Sequence, residues 1–196
     1  MRKTPEERLM EITLPDRELW AQGISFAGID EAGRGPLAGP VSAGCVVMPP
    51  EPLIPGIDDS KKLSEKKREA LYDKIMETAI FARVGLASVE EIERLNILEA
   101  TRLAMTRAAE GAPCGLFLLD AMGGVLLPGE QRSIVHGDAL CYTLAAPYIQ
   151  AKGNSDRPTP QLEDEHPQYG LAERKGDGTD TRIESIREAR LCPQHP

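Results

Sequence analysis

The sequence contains no apolar run of the ~18–20 residues that a membrane span requires. Its opening, MRKTPEERLMEITLP, is too charged for the apolar middle of a secretory signal, so a cytoplasmic protein is expected. Cysteine is sparse: Cys45, Cys114, Cys141 and Cys192 stand far apart with no close pair, which indicates neither a zinc cluster nor a redox dithiol. Cys45 and Cys114 read instead as small buried hydrophobes of two apolar strands. Three histidines, His136, His166 and His195, occupy unrelated contexts. They argue against a histidine-based metal site and leave a carboxylate one open. Internal repeats and low-complexity tracts are lacking.

Positive charge is also in short supply. The chain carries 23 Lys and Arg against 31 Asp and Glu, a net charge of −8, which taken alone points away from a polyanionic partner. A binding face depends on local charge, however, and SKKLSEKKR (60–68) is the densest basic stretch. By itself such a run is ordinarily a solvated helix face.

What is present suffices for one core: 196 residues, 41% of them hydrophobic, predict one domain over 23–196 preceded by an N-terminal extension over 1–22. That extension reads as one short helix or two, broken by Pro15. SFAGID (25–30), VSAGCVVM (41–48), FARVGLAS (81–88) and GLFLLD (115–120) read as strands, with a shorter one at SIVHGD (133–138). Residues 65–79 form an amphipathic helix with Ser64 as its N-cap, and helical pattern over 88–110 restarts at Asn96. ALCYTLAAPYIQAK is helical but carries Pro147, which predicts a kink or restart, and a last helix spans 181–191. Strands and helices in this order imply an α/β fold.

Two apolar strands finish on an aspartate, Asp30 and Asp120, and Asp138 follows a short strand at a glycine. Strand ends are where α/β folds gather ligands, although an aspartate there is more often a turn former. Glu31 strengthens the pattern. Both Asp30 and Glu31 reach one site only if the strand ends between them and the chain turns, which Ala32-Gly33 permits. Clustered carboxylates raise one another's pKa, divalent cations are the usual remedy, and an oxygen-only donor set favours Mg²⁺ or Mn²⁺. The following GRGPLAG loop offers unobstructed backbone N–H groups, and Arg34 provides a fork that matches phosphate oxygens. It lacks a Walker lysine and is no dinucleotide fingerprint.

GIDEAGRGPLAGPV (28–41) and DDSKKLSEKKRE (58–69) resemble the ribonuclease HII (type 2 ribonuclease H) family. The likeness continues through LLD (118–120), HGDAL (136–140), AK (151–152), DR (156–157), HPQYG (166–170), KGDGT (175–179) and CPQH (192–195). This resemblance implies an RNase H-like fold, a central mixed β-sheet flanked by helices with a helical C-terminal segment. It implies a metal-dependent endoribonuclease acting on the RNA strand of RNA–DNA hybrids and 5′ to ribonucleotides embedded in duplex DNA, and the size of the chain leads us to expect a monomer. It places the catalytic, metal-binding carboxylates at Asp30, Glu31, Asp120 and Asp138, holding two Mn²⁺ or Mg²⁺ ions. Substrate binding falls to Gly33, Arg34 and Gly35, which sense the ribose 2′-OH, and to Lys61 and Lys62 near the nucleic-acid backbone.

The chain departs from the family pattern in four places. Ala121-Met122 follow Asp120 where glycine is usual, His136 replaces a lysine, Pro147 and Tyr148 interrupt an Ala/Ser-rich helix, and Asp177 replaces a tyrosine that stacks on the junction sugar. An anion at 177 repels phosphate. A second reading is a weakened homologue that holds hybrid duplex without efficient cleavage. A third, a small-molecule phosphoesterase, fits the acidic cluster but not the basic run.

Overall fold

The computed structural model describes residues 4–32, 39–57, 63–120, 122–134 and 137–156. The expected helix over 181–191 and the motifs from 157 onward lie outside them. In chain order the elements are α1 (Pro5–Ile12), α2 (Leu14–Ala21), β1 (Phe26–Ala32), β2 (Val41–Val47), α3 (Glu65–Thr78), β3 (Phe81–Ala87), α4 (Val89–Leu95), α5 (Ile97–Ala109), β4 (Leu116–Asp120), β5 (Glu130–Ile134), α6 (Gly137–Leu140) and α7 (Tyr142–Asp156).

Local chemistry accounts for most boundaries. Thr4 and Glu7 form a capping box at α1, and Ser88 and Glu91 form another at α4. The break between α1 and α2 falls at Thr13, which puts Pro15 in the first turn of α2, where its missing N–H costs nothing. Asn96 takes φ of 73° and accepts from the N–H groups of Leu98 and Glu99, so it ends α4 and starts α5 in one residue. Ser64 occupies the N-cap position of α3, but its side chain makes no capping hydrogen bond.

The strands form a mixed sheet in the order β3-β2-β1-β4-β5. β1 runs antiparallel to β2, and β2 to β3, whereas β4 runs parallel to both β1 and β5. The fold is thus the expected mixed sheet between helical layers. Alternation along the strands sends Ala27, Ile29, Phe117 and Leu119 to one face, against Ala104, Met105 and Ala108 of α5. It sends Phe26, Leu116 and Leu118 to the other, with Leu144 of α7 and Leu19 of α2. Burying side chains of this size stabilises the fold by ~1.5–3 kcal/mol each. Cys45 is buried in β2 as expected, whereas Cys114 precedes β4 and is only partly covered.

The sequence signal misplaces one strand. The stretch predicted over 133–138 pairs instead from Glu130 to Ile134, and Gly137–Leu140 is helical, so Asp138 stands on a helical turn rather than beyond a strand. β5 is an edge strand, its residues largely exposed, and therefore lacks the apolar alternation that marks a buried one. The N-terminal segment is packed onto the domain: Ile12 joins the cluster beneath α7, and Asp16 is buried.

α7 runs continuously through Pro147, with the break falling nearer its start, at Cys141 between α6 and α7. The carbonyl left without a helical donor by Pro147 is that of Thr143, four residues back. It lies over Gly28 of β1: a Cβ added at Gly28 would come within 2.2 Å of the Thr143 carbonyl oxygen, and one at Gly44 within 2.3 Å of the Pro147 carbonyl oxygen. α7 therefore rests on the backbones of β1 and β2.

Two outcomes are expected. Gly28→Ala forces α7 off the sheet and lowers stability by ~1–3 kcal/mol in chemical denaturation, as overpacking does. Gly115→Ala, where an added Cβ meets nothing within 4 Å, stays within about 0.5 kcal/mol of wild type. A further outcome concerns pH. The Arg107 guanidinium grips both carboxylate oxygens of Glu91 at 2.7 Å, and with the Ser88 N–H holds that carboxyl at about 2, below its ordinary 4.5. A depressed pKa gives stability that is present above the ordinary value and lost as pH falls toward the folded one. Denaturation midpoints should therefore fall more steeply between pH 4.5 and about 2 in wild type than in Glu91→Gln.

Candidate active site

Asp30 and Asp120 are brought together by strand register. β1 and β4 pair in parallel with Phe26 opposite Leu116 and Ile29 opposite Leu119, so one step on Asp30 lies level with Asp120. Neighbouring strands stand ~4.8 Å apart. Residues level with each other share a face, and both aspartates fall on the α7 face with Phe26, Leu116 and Leu118. On its other flank Asp30 pairs with Gly44, which also faces α7. Asp30 is 2% exposed, and its Oδ1 accepts the N–H of Glu31 at 2.8 Å.

Asp120 is half-buried and reaches toward the next segment. Its Oδ1 accepts the N–H of Gly137, the first residue of α6, at 3.2 Å. Asp138 is the next residue on α6; its side chain is outside the described portion. One hydrogen bond thus joins the end of β4 to the turn that carries the remaining aspartate.

Glu31 departs from this arrangement. The condition set by the sequence, a turn between Asp30 and Glu31, is not met, because β1 continues to Ala32 and Glu31 pairs with Ala43. Ala43 belongs to the core beneath α5, so the pleat sends Glu31 toward the face opposite Asp30. Among the described residues no group of three or more His, Cys, Asp and Glu side chains is placed to hold a metal ion. Gly33, Arg34, Gly35, Lys61 and Lys62 lie outside the described residues, as do Ala121 and His136. Of the basic run, Lys66 and Lys67 are exposed in the first turn of α3, and Arg68 donates to the Leu63 carbonyl at 2.8 Å.

Three polar residues that the sequence does not single out hold this end of the molecule. Ser42 Oγ donates to the carbonyls of Ala32 at 3.2 Å and Ala151 at 3.3 Å, tying the end of β1 to α7. The Tyr142 hydroxyl accepts the N–H of Ile54 at 2.9 Å. That contact fastens the proline-rich segment before α3 to the first turn of α7. Burial pushes the Tyr142 phenol up to about 12, so it stays neutral. Asp16, fully buried on α2, accepts from Cys141 Sγ at 3.3 Å and from the N–H groups of Tyr142 at 3.1 Å and Thr143 at 2.9 Å. Burial raises its carboxyl above the ordinary 3.8, against the opposing pull of those hydrogen bonds. In the sequence Asp16 shows only as an acid in a helix's first turn, the commonest place for one.

Comparison with known proteins bears on the same residues. The family model described as Ribonuclease HII matches residues 27–196. A Ribonuclease HII of Desulfitobacterium hafniense is 44% identical over 192 residues, covering 96% of this chain and 74% of that protein. Among solved structures, the ribonuclease H2 from Pyrococcus horikoshii superposes with a TM-score of 0.72 at 23% identity, covering 88% of this chain and 92% of the other. Bst-RNase HIII in complex with Mn²⁺ gives 0.60 at 16% identity, covering 96% and 67%.

Tyr142→Phe is expected to leave the buried Ile54 N–H without its acceptor and to lower stability by ~1–3 kcal/mol, read from equilibrium denaturation. A variant as stable as wild type would show that the Ile54 contact contributes nothing.

Proposed function

Because the chain belongs to the ribonuclease HII family and is an endonuclease of the ribonuclease H type, we propose that it cuts the RNA strand of RNA–DNA hybrids and incises 5′ to ribonucleotides embedded in duplex DNA. The products carry 5′-phosphate and 3′-hydroxyl ends. The observation that carries this reading is the level placement of Asp30 and Asp120 on adjacent parallel strands, with Asp120 bonded to the residue before Asp138.

Asp30, Asp120, Asp138 and Glu31 would hold Mn²⁺ or Mg²⁺. The donors are all carboxylate oxygens, which suits hard divalent cations, and aspartates level on neighbouring strands repel one another without a cation between them. The Mn²⁺ complex of the structurally similar RNase HIII supports the same choice. A pair of such ions, when bound, supplies a water of lowered pKa and stabilises charge on the departing oxygen.

The chain's own residues do the rest. Asp30 is fixed by the central strand and by the Glu31 N–H, and Asp120 is oriented by Gly137, so two donors are set before substrate arrives. Glu31 would contribute its carboxylate from the opposite face of the sheet, next to Asp30 in β1. Gly33 and Gly35 let the backbone approach the ribose closely, Arg34 matches phosphate oxygens, and Lys61 and Lys62 neutralise the backbone. Discrimination rests on the 2′-OH, the group that DNA lacks.

The test is a DNA duplex with one ribonucleotide, incubated with Mn²⁺ or Mg²⁺ beside an all-DNA duplex. Incision of the first alone is expected, and Asp30→Asn should lower it more than the ~10–100-fold that losing an outer-shell partner costs. Binding without incision favours the weakened-homologue reading. Equal cutting of both duplexes overturns the 2′-OH assignment.

A further inference from the structure

We propose that Asp16 is a positioning residue for the active site, its buried carboxylate fixing the one-residue joint between α6 and α7 and thereby the placement of Asp120 and Asp138. This inference rests on the nuclease reading above and extends it to a residue outside the carboxylate cluster.

The first N–H groups of a helix have no partner within it, and a Ser, Thr, Asp or Asn just before the helix ordinarily supplies one. Before α7 stands Cys141, whose side chain has no oxygen. The acceptor comes from α2 instead. Asp16 takes the N–H groups of Tyr142 and Thr143 and the Cys141 thiol, all three donors lying in one turn more than 120 residues away in the chain. A fully buried carboxylate is costly unless its oxygens are engaged, so carboxylate and helix start stabilise each other.

From that turn the bonding continues to the site. The Cys141 N–H donates to the Gly137 carbonyl at 2.8 Å, and its own carbonyl accepts the Ala145 N–H at 3.1 Å, so Cys141 both closes α6 and opens α7. Gly137 in turn donates its N–H to Asp120. The connected series runs Asp16, Cys141, Gly137, Asp120, and Asp138 sits inside the α6 turn it spans. Opposite, α7 is seated on Gly28, two residues before Asp30. Loosening the α7 start therefore displaces donors of the site without removing any of them.

The experiment compares wild-type full-length chain with Asp16→Asn, which keeps the shape but turns an amide donor toward N–H groups. Incision of the single-ribonucleotide duplex is measured as a function of Mn²⁺, at a temperature where circular dichroism shows both proteins folded. The expected result is a rise of about 10-fold in the Mn²⁺ concentration for half-activation or an equal fall in kcat, with KM for the duplex within about twofold. Adding Cys141→Ser, which supplies a local N-cap oxygen, restores part of the loss. A folded Asp16→Asn protein with a lower Tm but unchanged Mn²⁺ response and kcat overturns the proposal. If that variant does not fold, Asp16→Glu takes its place: it keeps the charge but displaces the turn by a methylene, and an unchanged Mn²⁺ midpoint with an unchanged kcat is again decisive against positioning. Calorimetric titration with Mn²⁺ separates the two claims. Weakened binding in the variant, with no incision by wild type, sinks the nuclease reading alone, and equal binding with an unchanged kcat sinks the positioning role.

Discussion

Parallel strands cannot be joined by a tight turn, and the pairing of β1 with β4 is the constraint from which the active end of this molecule follows. To bring Leu116 beside Phe26 in the same direction, the chain must first complete β2, α3, β3, α4 and α5. The excursion places the carboxyl-terminal parts of two central strands side by side, where Asp120 ends β4 and Asp30 lies two residues before the end of β1. A one-residue slip of β4 would move Asp120 to the α5 face and break the pairing of donors. Register is held because Phe117 and Leu119 are buried beneath α5 while Leu116 and Leu118 are buried on the opposite side. The same burial that stabilises the sheet sets the chemistry at its edge.

Backbone contact helps to place the helix layer over that edge. Gly28 and Gly44 admit the carbonyls of Thr143 and Pro147, so α7 lies directly on β1 and β2. Its first turn is a junction: Asp16 binds it from α2, Tyr142 reaches the segment before α3, and Cys141 joins it to α6. Polar groups buried at such a point are expensive unless each is paired, which is why they fix one geometry rather than several. Pro147, which interrupts an otherwise regular helix, falls where the carbonyl it deprives of a donor is already seated on the sheet.

Much of this was legible. Strands at 26–32, 41–47, 81–87 and 116–120 and the helical restart at Asn96 show in period, β-branched content and capping residues, because those signals act between residues near in sequence. β5 was misplaced because an exposed edge strand carries no burial pattern. The role of Asp16 was hidden because a first-turn acid reads as ordinary helix chemistry, and its partners lie 125–127 residues away. The opposed directions of Asp30 and Glu31 turned on whether β1 stopped at Asp30, and pairing with Ala43 and Ser42 carried the strand two residues further.

By itself the sequence determined the types of donor, the attachment of Asp30 and Asp120 to apolar strands, and the kinship that names the chemistry, since these are properties of short segments and of a long shared motif. Tertiary structure alone decided which acids stand together: Asp30 level with Asp120, Glu31 on the far face, and Asp16 beneath the helix start. Proximity across a sheet is set by strand order and register, and these emerge only when distant apolar faces are buried against one another.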